Sequence, residues 1–144
     1  MAQDTAGASS SRVSAWLAEK LADSLSTPLP NLTPRSIHGA VSVSGKATAV
    51  VGMRRAGKTF FLHQLRREQV ETDTPRNRLP YINFEDERLG GIEAGHLTSL
   101  VETYYRQHPA LRGRETVTWF LDEIQVVPGW ERFVRRLIDS EKVR

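Results

Sequence analysis

Gly52-Met53-Arg54-Arg55-Ala56-Gly57-Lys58-Thr59 satisfies every fixed position of the pattern G-x-x-x-x-G-K-[ST]. The two glycines permit backbone angles that other residues resist, so successive N–H groups can turn into one concavity. A helix starting near Lys58 would add its unpaired first-turn N–H groups and the positive end of its dipole. Such a cradle suits the clustered oxygens of a nucleotide's phosphates. The binding residues expected are therefore Gly52, Met53, Arg54, Arg55, Ala56, Gly57, Lys58, Thr59 and Phe60. Lys58 would reach the β- and γ-phosphates, and the Thr59 hydroxyl would take one place on a Mg²⁺ ion. Arg54 and Arg55 are expected to lend only their N–H groups, with their side chains in solvent or against acidic neighbours.

A second constellation follows sixty-odd residues later. Val117-Thr118-Trp119-Phe120-Leu121-Asp122-Glu123 is an apolar run ending in two adjacent carboxylates. In a parallel sheet the carboxyl ends of the strands gather over one crevice, so these carboxylates would face the same phosphates. This is a Walker B pattern. Asp122 would hold Mg²⁺ opposite Thr59, and Glu123 would act as the base that orients and deprotonates an attacking water. A guanine-specific switch protein would show D-x-x-G here, whereas the chain has Asp122-Glu123-Ile124-Gln125; none of Asn31, Asn77 or Asn83 begins N-K-x-D. Another acidic cluster, Glu85-Asp86-Glu87, leaves an earlier apolar segment. It could border the nucleotide, or Glu85, Asp86 and Glu87 could simply cap a turn and face water or pair with Arg54, Arg55 or Arg88.

These groups need elements to hold them. Ala47-Thr48-Ala49-Val50-Val51 is too short for a helix and reads as a buried strand. Lys58 to Val70 reads as a helix with Phe61, Leu62 and Leu65 inward and Arg66, Arg67, Glu68 and Glu71 outward. Leu79 to Phe84 and Thr116 to Leu121 read as further strands. His96 to His108 and the stretch from Trp130 read as helices, the latter with Phe133, Val134, Leu137 and Ile138 at helical spacing behind Pro128. Strands answered by helices argue an α/β domain with a parallel sheet. Ahead of it, residues 1–11 are expected to be disordered. Trp16, Leu17, Leu21 and Leu25 continue the rhythm begun at Val13, giving a helical appendage that ends before Thr27-Pro28. The Pro28–Pro34 stretch, with three prolines, reads as a linker. The domain reading is thus a loose start at 1–11, helix and linker at 12–34, and the nucleotide domain at 35–144.

Composition narrows the alternatives. Among 144 residues there is no Cys, which excludes disulfide frameworks, thiolate metal sites and Cys nucleophiles. His38, His63, His96 and His108 are too scattered for a local ligand pair, so metal is expected on oxygen. No stretch approaches the roughly 18 apolar residues of a membrane span, and the N-terminus lacks a signal-peptide pattern; no membrane partner and a cytoplasmic address are expected. Twenty Lys+Arg against 17 Asp+Glu leave a net charge of only +3, a weak footprint for nucleic acid. The Glu131, Arg135 and Asp139 spacing on the last helix reads as an ion-paired, solvated face.

From about Thr33 to Val143 the chain resembles the bacterial and archaeal AAA-like P-loop ATPases. The resemblance rests on GMRRAGKT, YINFEDERL and FLDEIQVVPGWERFVRRLID, in that order. It implies a Mg²⁺-dependent ATP hydrolase: ATP on the 52–60 loop, Thr59 and Asp122 on the metal, Lys58 and Glu123 as catalytic residues. It further implies an additional-strand sheet of order 5-1-4-3-2. In that family the Glu141-Lys142-Val143 region runs into a further strand bearing a sensor residue. The chain is accordingly expected to be a truncated product with an incomplete sheet. Two other readings remain at this level, a P-loop small-molecule kinase and a basic nucleic-acid-binding module using Arg54, Arg55, Arg66, Arg67, Arg132, Arg135 and Arg136. No residue stands out as an arginine finger. If one is used, a neighbouring subunit of a homo-oligomer could supply it.

Overall fold

Helix α1 spans Ala2–Ser26 and carries Val13, Leu17 and Leu21 on one stripe, all buried. The computed structural model describes residues 2–31, 33, 46–50 and 57–144, with side chains from residue 7 onward. Helices α2 (Lys58–Glu71), α3 (Ala94–Gln107) and α4 (Trp130–Ser140) alternate with strands β1 (Tyr81–Asn83) and β2 (Phe120–Asp122). The strands pair in parallel with Tyr81 opposite Phe120, Ile82 opposite Leu121 and Asn83 opposite Asp122. Pairing extends past these bounds. Thr118 N–H donates to Arg78 O, Phe120 N–H to Pro80 O and Phe84 N–H to Asp122 O, at 2.9 to 3.0 Å.

Side-chain alternation divides the sheet into two faces. Ile82, Phe84, Val117 and Trp119 point toward α3 and α4 and join Leu97, Leu100, Val101, Tyr104, Phe133 and Leu137 in the main core. Leu79, Tyr81, Phe120 and Asp122 occupy the other face, where α2 packs against β2 and supplies Phe61. Both faces of the parallel strands are therefore covered, as crossover connections require.

Three expectations change. The loose start and the appendage are replaced by one helix whose buried stripe belongs to the main core, packed against α3 and β1. Residues 2–26 contain no proline and a single glycine, Gly7. Once residues 13–25 are docked, extending the helix toward Ala2 costs little beyond nucleation already achieved. Ser10 Oγ and His96 Nε2, 2.9 Å apart, tie this outer part to α3. Tyr81 N–H donates to Ser24 Oγ at 3.2 Å, so α1 also covers the outer edge of β1.

The buried strand expected at Ala47–Val51 is not formed over Ala47–Val50, where residues 47–49 are exposed; Val51 lies outside the described residues. A buried strand is withdrawn from water on its faces, and the exposure of residues 47–49 is at odds with that. Finally, β2 has a second neighbour. Val117 N–H donates to Lys142 O, Arg144 N–H to Val117 O and Trp119 N–H to Arg144 O, a parallel bridge between Val117 and Val143. The donors used are those β1 leaves free, so the 142–144 segment lies on the opposite edge of β2. The sheet of the described residues is thus the parallel pair β1 and β2 with this one bridge beside β2.

Candidate functional site

The site forms where α2 begins beside the carboxyl end of β2. Gly57 precedes α2 with φ 89°, ψ 22°, the left-handed region that glycine enters without Cβ strain. Gly52, Met53, Arg54, Arg55 and Ala56 lie outside the described residues. Lys58 and Thr59 open the helix, and Phe60 points outward, 57% exposed. One turn brings Thr59 against the strand end, where its Oγ1 donates to Asp122 Oδ2 at 2.7 Å, across 63 residues of sequence.

Asp122 is 4% exposed. Its Oδ2 also accepts from the Tyr81 hydroxyl at 2.7 Å. The β1–β2 register explains this contact. Tyr81 sits opposite Phe120, so Asp122 is its diagonal neighbour on the same face, within reach of an aromatic side chain. Burial first, then the bond to Asp122, push the Tyr81 phenol well above its usual range, so it remains a donor.

Thr59, His63 and Arg66 share one face of α2, at spacing i, i+4, i+7. The His63 ring lies 4.4 Å from that of Tyr81, and burial followed by the neighbouring Arg66 charge lowers its pKa. Arg66 was expected outside but is 3% exposed. Its Nε donates to Leu79 O at 3.1 Å and a terminal nitrogen to Ser24 O at 2.8 Å. Its guanidinium also stands 5.4 Å from the Tyr81 ring centre. Two carbonyls and an aromatic face thus replace its water, while burial and nearby Arg76 lower its pKa to about 10. Arg76 donates to the same Ser24 O at 2.8 Å, so two cations close the carboxyl end of α1.

Glu123 follows Asp122 in left-handed backbone, φ 57°, ψ 33°, a costly conformation for a residue with a side chain. Gln125 Nε2 donates to Glu123 Oε2. Of the acidic cluster, Asp86 is held in a turn. It caps the turn at 87–89, accepting from Arg88 N–H at 3.0 Å, and pairs with Arg88 and with Lys20 of α1 at 2.8 and 2.9 Å. Arg88, then Lys20, hold its carboxyl well below the ordinary carboxylate range.

Could these residues hold a hard divalent cation? Adjacent oxygens around octahedral Mg²⁺ at about 2.1 Å stand about 3.0 Å apart. Thr59 Oγ1 and Asp122 Oδ2 stand 2.7 Å apart, so a small outward shift would open a two-oxygen site. Among the described residues no three His, Asp or Glu side chains converge on a metal position. A hydroxyl and one carboxylate suit Mg²⁺, which takes few protein ligands and completes its shell from water and phosphate.

Sequence reasoning paired Thr59 with Asp122 but missed Tyr81, His63 and Arg66. The stripe from Thr59 through His63 to Arg66 was a usable signal. Tyr81 had none, because its contact depends on register.

A helix opened by Gly-Lys-Thr, with its first hydroxyl on the carboxylate ending a parallel strand, is compatible with a P-loop-like α/β domain. Residues 44–144 match the family model described as AAA domain, and the chain belongs to that family. It is also similar to an uncharacterized protein of Methanocaldococcus jannaschii, 41% identical over 98 residues that cover 68% of this chain and 20% of that protein. The chain thus spans about a fifth of that relative's length. No solved structure matches. No helix among the described residues is long and apolar enough to cross a membrane.

Proposed function

We propose that this chain binds ATP with Mg²⁺ and contributes the hydrolytic residues of an AAA-type ATPase. The observation that carries the reading is the Thr59–Asp122 hydrogen bond, which joins the end of the glycine loop to the acidic strand end. Main-chain amides from Gly52 to Phe60 hold the phosphates, and Lys58 meets the β- and γ-phosphate oxygens. Thr59 and Asp122 would hold Mg²⁺, which when bound neutralises charge on the phosphate oxygens. Glu123 accepts a proton from the water whose oxygen bonds to the γ-phosphorus, as the bond from that phosphorus to the bridging oxygen breaks and ADP leaves. Support for Glu123 comes from its strained turn, since sparsely populated backbone is retained where side-chain direction matters. The alternatives of a small-molecule kinase and a nucleic-acid module gain no specific observation.

The test is the affinity of a fluorescent ATP analogue with and without Lys58→Ala. Loss of charge-assisted bonds to phosphate should weaken binding about ten- to hundredfold. Equal, near-background binding by both proteins removes the claim.

A further inference from the structure

We propose that Tyr81 is a positioning residue for the metal-binding carboxylate: its hydroxyl pins Asp122 so that the carboxylate is presented to Mg²⁺ before the ion arrives. The inference rests on the ATP·Mg²⁺ reading above and goes beyond it, because the phosphate loop and the acidic strand end do not require a tyrosine.

The geometry points to this role in three ways. First, the torsion about Cβ–Cγ of an aspartate is broad and two-fold, so one hydrogen bond leaves the carboxylate free to rock. Asp122 receives two hydroxyl donors, Thr59 and Tyr81, each at 2.7 Å and both on Oδ2. Among the described residues no donor reaches Oδ1. The place on Oδ2 that the Thr59 hydroxyl now fills is the one an ion beside Thr59 Oγ1 would take, and the Tyr81 bond to the same oxygen would remain to hold the carboxylate. Second, the donors differ in duty. Thr59 Oγ1 must itself turn a lone pair to the cation, whereas Tyr81 has no such second task and can keep its hold on Oδ2. Third, the phenol is held from four directions. The Tyr81 main-chain N–H donates to Ser24 Oγ at 3.2 Å, the ring lies under the Arg66 guanidinium at 5.4 Å and beside His63 at 4.4 Å, and the strand is in register with β2. A donor placed so firmly preorganises the acceptor it meets.

Tyr81→Phe removes the hydroxyl and keeps the ring. Mn²⁺, a spectroscopic substitute for Mg²⁺, is titrated by electron paramagnetic resonance into protein saturated with a non-hydrolysable ATP analogue, and analogue affinity is measured separately in EDTA. The expected result is about tenfold weaker Mn²⁺ binding with analogue affinity in EDTA unchanged within about twofold. Equal Mn²⁺ affinity in the two proteins overturns the proposal. So does a parallel loss of both affinities, the mark of a merely structural residue.

A measurement on the unsubstituted chain guards against a variant that fails to fold. The sequence has three tyrosines, so 3-fluorotyrosine labelling gives three ¹⁹F resonances. Tyr104 and Tyr105, on α3, are assigned by Tyr104→Phe and Tyr105→Phe. The remaining resonance should shift when Mg²⁺ joins the analogue and stay in place with analogue in EDTA; no metal-dependent shift counts against the role. Failure of the unsubstituted protein to bind the analogue at all would sink the ATP reading and this inference together. Normal metal-dependent binding that ignores Tyr81 sinks only the inference.

Discussion

Leu17→Ala separates a core helix from an appendage. Leu17 is 1% exposed on α1 and lines the α1–α3 seam with Leu100 and His96. Truncating a buried leucine removes its transfer free energy and leaves a partly unfilled space, costing about 2 to 5 kcal/mol. The seam is bounded by helices anchored elsewhere, through Lys20–Asp86 and Ser24–Arg66, so it cannot collapse freely; about 3 kcal/mol is expected. At about 2.1 cal/mol/K per residue, the unfolding entropy of a chain this size makes that loss about a 10 °C fall in Tm. The assay is thermal unfolding followed by circular dichroism at 222 nm, with exposed Glu19→Ala as the control, expected within about 0.5 kcal/mol of the parent. If Leu17→Ala shifts Tm by no more than the control does, α1 is not part of the cooperative core and the packing argument fails.

Asp86→Asn should lower stability slightly near neutral pH, by up to about 1 kcal/mol, because it cuts the ion pairs joining α1 to the 87–89 turn. The sign follows from the depressed carboxyl. Its contribution is full above the unfolded pKa of about 3.9 and is lost as pH falls toward the lower folded value, so parent and variant curves should converge in acid; a gap that widens there contradicts the assignment. Glu123→Gly should raise stability by about 1 kcal/mol by relieving the left-handed backbone, while abolishing hydrolysis; Glu123→Gln should abolish hydrolysis with stability nearly unchanged. Urea midpoints and phosphate release measured on both variants check this, and a destabilised glycine variant would refute the strain. Gly129 precedes α4 at φ 80°, and an added Cβ would meet only Ala94 Cβ at 3.5 Å, an ordinary contact. Gly129→Ala should therefore cost about 1 kcal/mol through backbone alone, with Gly129→Asn milder; equal Tm for all three would be inconsistent.

Local signals sufficed for part of this molecule. Period and capping placed α2, α3 and α4 within a few residues, because each presents a stripe or a glycine or proline boundary that acts over one or two turns. The proposed site is written in the same local way, as a Gly-Lys-Thr stretch and an Asp-Glu pair whose residue types are set at short spacing. Arg66 shows where such reading stops. Its charge argues for solvent, yet carbonyls from Ser24 and Leu79 and the face of Tyr81 replace its water, and those partners lie 42, 13 and 15 positions away.

Only tertiary structure decided that α1 belongs to the core, since an amphipathic stripe says that a helix needs a partner without saying which. The same holds for Ala47–Val50, whose apolar composition permits a strand but whose hydrogen bonds require a neighbour. Tyr81 depends on the β1–β2 register, where a one-residue slip would turn the phenol to the opposite face and away from Asp122. Residue chemistry and short-range periodicity are written along the chain; burial, register and the pairing of distant donors arise only when segments far apart in sequence compete for the same water-free space.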